Sequence, residues 1–185
     1  YTNYLDEREI TFKECYAALR DGREAKTAAA NVDSFEQAME PILQAGEDIL
    51  YLGFSSALSS TYNAGALAAE QLAEKYPDRK ILTVDTLSAS MGQGLLVYLT
   101  VQQKRAGATI EEARDFAEKN KFHLCHWFTV DDLHHLRRGG RVSATSAVLG
   151  TVLNIKPVLH MDNEGRLIFM EKVRGRRASI KRMLE

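Results

Sequence analysis

D-I-L-Y-L-G-F-S-S-A-L-S-S-T-Y, running from Asp48 to Tyr62, decides the fold of this chain. Ile49, Leu50, Tyr51 and Leu52 form a short apolar run, the pattern of a parallel strand buried on both faces, and Gly53 marks its end. A helix follows, because Asn63 to Tyr76 is rich in Ala, Leu, Glu and Gln, with Ala64, Leu67, Ala68 and Leu72 at helical spacing. Ser59 or Ser60 then stands where an N-cap belongs. Hydroxyls at Ser55, Ser56, Ser59, Ser60 and Thr61 therefore gather between a strand's carboxyl end and a helix's amino end. In an open α/β sheet that is the crevice where ligands bind, and the helix-end N–H groups favour an anion there.

Upstream, Tyr1 to Leu5 reads as a strand, and Thr11 with Glu14 as a capping box opening a helix through Leu19 whose apolar face is Phe12, Cys15, Tyr16 and Leu19. Arg23 to Asn31 contains K-T-A-A-A, a small-residue loop with one hydroxyl, Thr27. Asp33 with Glu36 starts a second helix, ended by Gly46. Downstream, Ile81 to Val84 is a second apolar strand with Asp85, Thr86, Ser88 and Ser90 after it. Ala89 to Ala106 is helical in period, its Gly92 and Gly94 suggesting close packing on the sheet, and Thr109 with Glu112 caps a helix to about Asn120. Strands alternating with helices predict a parallel sheet with helices on both faces.

The rhythm changes near Phe122. His123 to Phe128 reads as a strand, Val130 to Leu136 as a short helix, Arg138-Gly139-Gly140-Arg141 as a turn, and Val148 to Leu153 as a small apolar run. Ile155 to Met161 and Leu167 to Val173 are two strands joined by the hairpin turn Asp162-Asn163-Glu164-Gly165, with a basic helix from Arg176. The expected organisation is an α/β domain over residues 1–121 and a second, smaller α/β domain with an antiparallel hairpin over 122–185.

Composition bounds the function. With 45% hydrophobic residues the chain can bury a core, and no apolar run approaches the roughly 20 residues of a membrane span. A cytoplasmic protein is expected, and a sequence that starts at Tyr1 and stops at Glu185 inside a helical pattern reads as part of a longer one. Cys15 and Cys125 lie far apart in apolar surroundings, as reduced core thiols do. Lys and Arg number 11 against 4 Asp and Glu from Leu133 onward, and 13 against 21 before it, which suggests an anion or acidic partner for the carboxyl-terminal part. Nucleic acid is not expected, since Phe169 is the one Phe, Tyr or Trp after Leu133.

Three constellations carry possible chemistry. Gly53-Phe54-Ser55-Ser56-Ala57 loosely matches the G-x-S-x-G elbow of hydrolases, with His134, His135 and His160 downstream, but it lacks the last glycine and no spacing ties a base to Ser55. Neither adjacent pair, His134 with His135 or Asp131 with Asp132, has the i, i+4 spacing of a shared ion, and His123 and His126 in a strand would face opposite ways, so no metal is expected. Arg138-Gly139-Gly140-Arg141 suits a phosphate or carboxylate, the glycines freeing the backbone and arginine offering a planar fork.

Taken together the motifs resemble the DegV family of bacterial fatty acid-binding proteins. The shared pieces are Thr27 in K-T-A-A-A, S-S-A-L-S-S-T-Y from Ser55, V-D-T from Val84, G-Q-G from Gly92, V-D-D-L-H-H-L-R-R-G-G-R-V-S from Val130, L-N-I-K-P-V-L from Leu153 and K-V-R-G from Lys172. They span nearly the whole chain in the family's order. The resemblance implies a two-domain α/β carrier with one long-chain fatty acid in a buried tunnel and no other cofactor. Its carboxylate is presented to a partner fatty acid kinase, which makes acyl phosphate for phospholipid synthesis. By similarity Thr27 and Ser59 hydrogen-bond the carboxylate, and Arg141 and Arg174 lie near the phosphate or the partner. The chain departs from the family at Ala28, where serine is usual, and at Ser60, where glycine is usual. The family's amino-terminal D-S motif and its later histidine and G-P-G segment have no counterpart in this sequence. A carrier, a hydrolase using Ser55 and a small-anion sensor are the readings the structure must separate.

Overall fold

The structure, a computed structural model, describes residues 9–131, 133–142 and 154–185, without the side chains of His134 and His135. The expected strand at Tyr1–Leu5, the apolar run Val148–Leu153, and the side chains of Asp132, His134 and His135 lie outside the described residues.

Helix α1 (Phe12–Arg20) opens with the expected capping box: Thr11 Oγ1 accepts the Glu14 N–H and the Glu14 carboxylate accepts the Thr11 N–H. Its apolar side is not buried; Phe12 and Tyr16 are exposed. Helix α2 (Val32–Gln44) begins two residues earlier than expected. Asn31, rather than Asp33, is the cap, its Oδ1 accepting the Ser34 N–H at 2.9 Å. Gly46, at φ +81°, turns the chain out of the helix while the Glu47 N–H reaches back to Ile42 O.

Strand β1 (Ile49–Gly53) pairs in parallel with β2 (Ile81–Asp85), from Ile49 opposite Ile81 to Gly53 opposite Asp85. The crossover is α3 (Thr61–Lys75). Both faces of the pair are covered, which is why the strands read as continuous apolar runs. Ile49, Tyr51 and Ile81 pack on Met39, Leu43 and Leu72 of α2 and α3. Leu50 and Leu52, beside Val84 from the same pair, pack on Leu96 and Ala117 of α4 (Ser90–Arg105) and α5 (Ile110–Asn120). Val84 and Leu96 are wholly buried, and removing such side chains from water contributes about 1.5–3 kcal/mol each. The Thr109 and Glu112 capping box opens α5 as expected.

After α5 the structure corrects four expectations. Lys121–His123 form a 3-10 turn rather than the start of a strand, because the last turn of α5 tightens instead of extending. Strand β3 is confined to Trp127–Thr129, so His126 precedes it and the opposite-face argument for the two histidines does not apply. Cys125 is exposed, not a core thiol, although both cysteines are free. The short helix α6 spans His134–Arg138, shifted from the expected Val130–Leu136.

Strand β4 (Ile155–Met161) pairs antiparallel with β3 and with β5 (Leu167–Arg174), giving the order β3-β4-β5. The hairpin turn is held by Asp162 Oδ1, which accepts the N–H groups of Glu164 and Arg166, with Gly165 at φ +75°. Helix α7 (Arg176–Arg182) follows and packs on β5 and β4. Leu133, Val142 and Leu159 form the core of this part, with Phe128, Leu136 and Leu167 against it. The architecture is thus a parallel β/α layer followed by an antiparallel sheet with its own helices.

Candidate functional site

Everything about the site follows from how the segment after β1 is tied down. Gly53 ends the strand against aromatic rings, since a β-carbon there would lie 2.6 Å from Tyr62 and 2.9 Å from Tyr51. Gly53 O accepts both the Thr86 N–H and the buried Thr86 hydroxyl, at 3.2 and 2.7 Å. The Ser55 N–H donates to Ser88 O at 2.9 Å, and the Ser56 N–H to the Asp85 carboxylate at 3.3 Å. The polar residues after β2 therefore anchor the hydroxyl loop after β1.

Helix α3 starts with Ser60 as N-cap residue, but its side chain makes no capping bond. Ser59 does that work instead, its Oγ accepting the Thr61 N–H at 3.2 Å and lying 2.8 Å from Thr61 Oγ1. Two hydroxyls in contact share one hydrogen between them, so the pair keeps a second hydrogen to donate outward. Ser60 has φ −69° and ψ 0°, ordinary right-handed backbone, so serine meets no strain where glycine is usual.

Thr27, Ser59 and Thr61 line one cleft of about 300 Å³, with Phe54, Leu58 and Arg141 among its other walls. Three distant segments supply these groups: the exposed loop after α1, the loop before α3, and the turn after α6. The Arg141 Nε–H donates to Leu58 O at 3.2 Å and its guanidinium also bonds Gly139 O, which fixes the turn over the hydroxyl loop. A second cleft of about 610 Å³ adjoins it, sharing Leu58, Gly139 and Arg141 and continuing between Ala57 and the residues Arg166 to Phe169. Polar donors thus stand at one end of a space whose other walls include Leu58, Val142, Leu167, Ile168 and Phe169. Arg174 is elsewhere: it pairs with Ile155 at the end of β5 and lines neither cleft.

Ser55 is not placed as a nucleophile. It is 0% exposed and its hydroxyl donates to Gly165 O at 2.7 Å, whereas a serine nucleophile is reachable and bonded to a base. His126, which burial and neighbouring His160 hold below the ordinary imidazole range, meets the hydroxyl of Ser88 at 3.2 Å instead. Among the described residues no group of three His, Cys, Asp or Glu is arranged to hold a metal ion. No helix among them is long and apolar enough to cross a membrane.

The sequence reading gave no role to Leu58, which belongs to both clefts, and placed Thr61 in the hydroxyl loop without singling it out. The hydroxyl two places after Ser59 was the available signal for Thr61; for Leu58 a side chain's place in a loop carries no periodic signal.

A sequence model of the family described as "Uncharacterised protein, DegV family" matches residues 2–185. A DegV domain-containing protein of Clostridium perfringens is 47% identical over all of this chain, which spans 64% of that relative's length. Among solved structures, a DegV family protein from Thermus thermophilus, described by its fatty acid binding, is 30% identical with a TM-score of 0.78 over 96% of this chain and 61% of its own. The Fatty Acid Kinase (Fak) B3 protein of Streptococcus pneumoniae, loaded with linoleic acid, is 25% identical with a TM-score of 0.85 over 96% of this chain and 62% of its own.

Proposed function

The chain belongs to the DegV family, and from that premise we propose that it is the carrier part of a fatty acid-activating system. One long-chain fatty acid lies with its carboxylate at Thr27 and Ser59 and its tail along the apolar walls beyond Leu58. The carrier presents that carboxylate to a separate fatty acid kinase in the cytoplasm, which forms the acyl phosphate used for phospholipid synthesis. Arg141 stands by the head group or its phosphate, Arg174 serves the partner, and residues 1–121 and 122–185 act as the two domains around the ligand.

The observation that carries this reading is the convergence of Thr27, Ser59 and Arg141 on one cleft that continues between apolar side chains. A carboxylate needs donors and no nucleophile there, and hydroxyls beside a guanidinium supply them. Fatty acid binding by the Thermus protein and the linoleic acid loaded in the Streptococcus protein support a lipid ligand. Native mass spectrometry of the protein purified from bacteria tests it. A co-purified acyl chain of fatty acid mass is expected; ester turnover abolished in Ser55→Ala would overturn it in favour of a hydrolase, and bound phosphate without lipid in favour of an anion sensor.

A further inference from the structure

Ser55 is the most thoroughly enclosed hydroxyl of the loop, yet it points away from the cleft that the other hydroxyls serve. Its Oγ donates to Gly165 O, 110 residues away, in the turn between β4 and β5. A β-carbon at Gly165 would lie 2.2 Å from Ser55 Oγ and 3.1 Å from Leu87 Cα, so the turn seats in a notch that only glycine fits. Leu87 forms that notch with φ +49°, an uncommon conformation for a leucine, while its N–H is held by Asp85 at 3.0 Å. Two residues past Ser55 and one past Gly165 the same two segments become opposite walls of the larger cleft, Ala57 and Leu58 on one side, Arg166 to Phe169 on the other.

We propose that Ser55 is a positioning residue: its bond to the Gly165 carbonyl is a pin that sets the spacing of the two walls between which the acyl chain lies. The pin acts through the backbone and touches no ligand. It rests on the fatty acid-binding reading for its consequence, though not for its existence. Breaking it frees the hairpin turn, widens the cleft and speeds ligand escape. It also relaxes the match between cleft width and acyl chain, because a looser slot holds chains of different length more equally.

Two measurements on the full chain decide this, each on the wild type, Ser55→Ala, Gly165→Ala and the control Ser88→Ala. Hydrogen exchange with no lipid added should show the amides of residues 162–166 exchanging about tenfold faster or more in the first two variants, since a buried acceptor has lost its partner. Ser88→Ala breaks the contact at His126 and should leave those amides unchanged. Transfer of bound stearic and myristic acid to phosphatidylcholine vesicles should accelerate in both pin variants, stearic acid more than myristic. Wild-type exchange in the turn for whichever pin variant folds would overturn the pin, and equal acceleration of the two acids would reduce it to a stability effect. Should the wild type bind neither acid, the carrier reading fails while the exchange comparison still decides whether the pin exists.

Discussion

The hydroxyls of Ser59 and Thr61 lie 2.8 Å apart, and Ser59 Oγ also accepts the Thr61 N–H. Ser59 Oγ is thereby held by its own helix end, and the pair keeps one hydroxyl hydrogen for the cleft that both residues line with Thr27. Ser59→Ala and Thr27→Val should each weaken fatty acid binding, because each deprives a bound carboxylate of a donor, at about 1–3 kcal/mol or roughly 5- to 150-fold in Kd. Thr61→Val should cost less, since Ser59 then still donates. Calorimetric titration with oleic acid checks the order; Thr61→Val weakening binding more than Ser59→Ala would reverse the assignment of donor and support.

Histidine 126 links stability to pH. Burial first, and His160 second, keep its imidazole below the usual value, so the folded chain binds fewer protons there than the unfolded chain. Its contribution is therefore complete above the unperturbed histidine value of about 6.5 and is lost as pH falls below it. The urea midpoint should drop between about pH 7.5 and about pH 5.5, and His126→Gln should flatten that drop. An undiminished slope in the variant would place the proton uptake elsewhere.

Alkaline pH should act through Tyr51. Its ring packs edge-on to Phe35 at 5.1 Å and stacks on Tyr62 at 6.1 Å. Burial, then the nearby Tyr62 and Asp85, push its phenol up to about 12. A raised acid pKa gives stability that is full below the unfolded tyrosine value of about 10 and is lost as pH climbs towards the folded one. Absorbance titration of phenolate should show one late-ionising tyrosine that disappears in Tyr51→Phe; its persistence would assign it to another ring.

The parts of this molecule that the sequence discloses are the local ones. Thr11 with Glu14 and Thr109 with Glu112 announce their helices because a capping box closes within four residues. The same signature at Asp33 and Glu36 misplaced the start of α2, since Asn31 accepts the Ser34 N–H and opens the helix two residues earlier. His123 to His126 looked like strand and became a 3-10 turn and a connection, a choice made by the packing of Leu124 under α4 and α5 rather than by composition. Hydroxyls between β1 and α3 were legible as a group, and Ser59 and Thr61 among them line a cleft. That Thr27 would face Ser59, or that Ser55 would bond Gly165 instead of a ligand, depends on contacts between distant segments that no local pattern records.

Gly92 and Gly94 stand in the same helix, and both were expected to mark close packing. A β-carbon on Gly92 would lie 2.3 Å from His126 Nδ1, and on Gly94 it would meet nothing within 4 Å. Alanine improves helix propensity at either place by about 1 kcal/mol. At Gly94 nothing opposes that gain, so Gly94→Ala should raise stability by about 0.5–1 kcal/mol. At Gly92 the imidazole must move, and it is held by the Ser88 hydroxyl and tilted against Phe128, so the added carbon breaks contacts on both sides. Overpacking of this kind costs about 1–3 kcal/mol, enough to outweigh the propensity gain. Urea denaturation should therefore move the two midpoints in opposite directions. A Gly92→Ala midpoint raised as far as that of Gly94→Ala would mean that His126 is not seated on this helix.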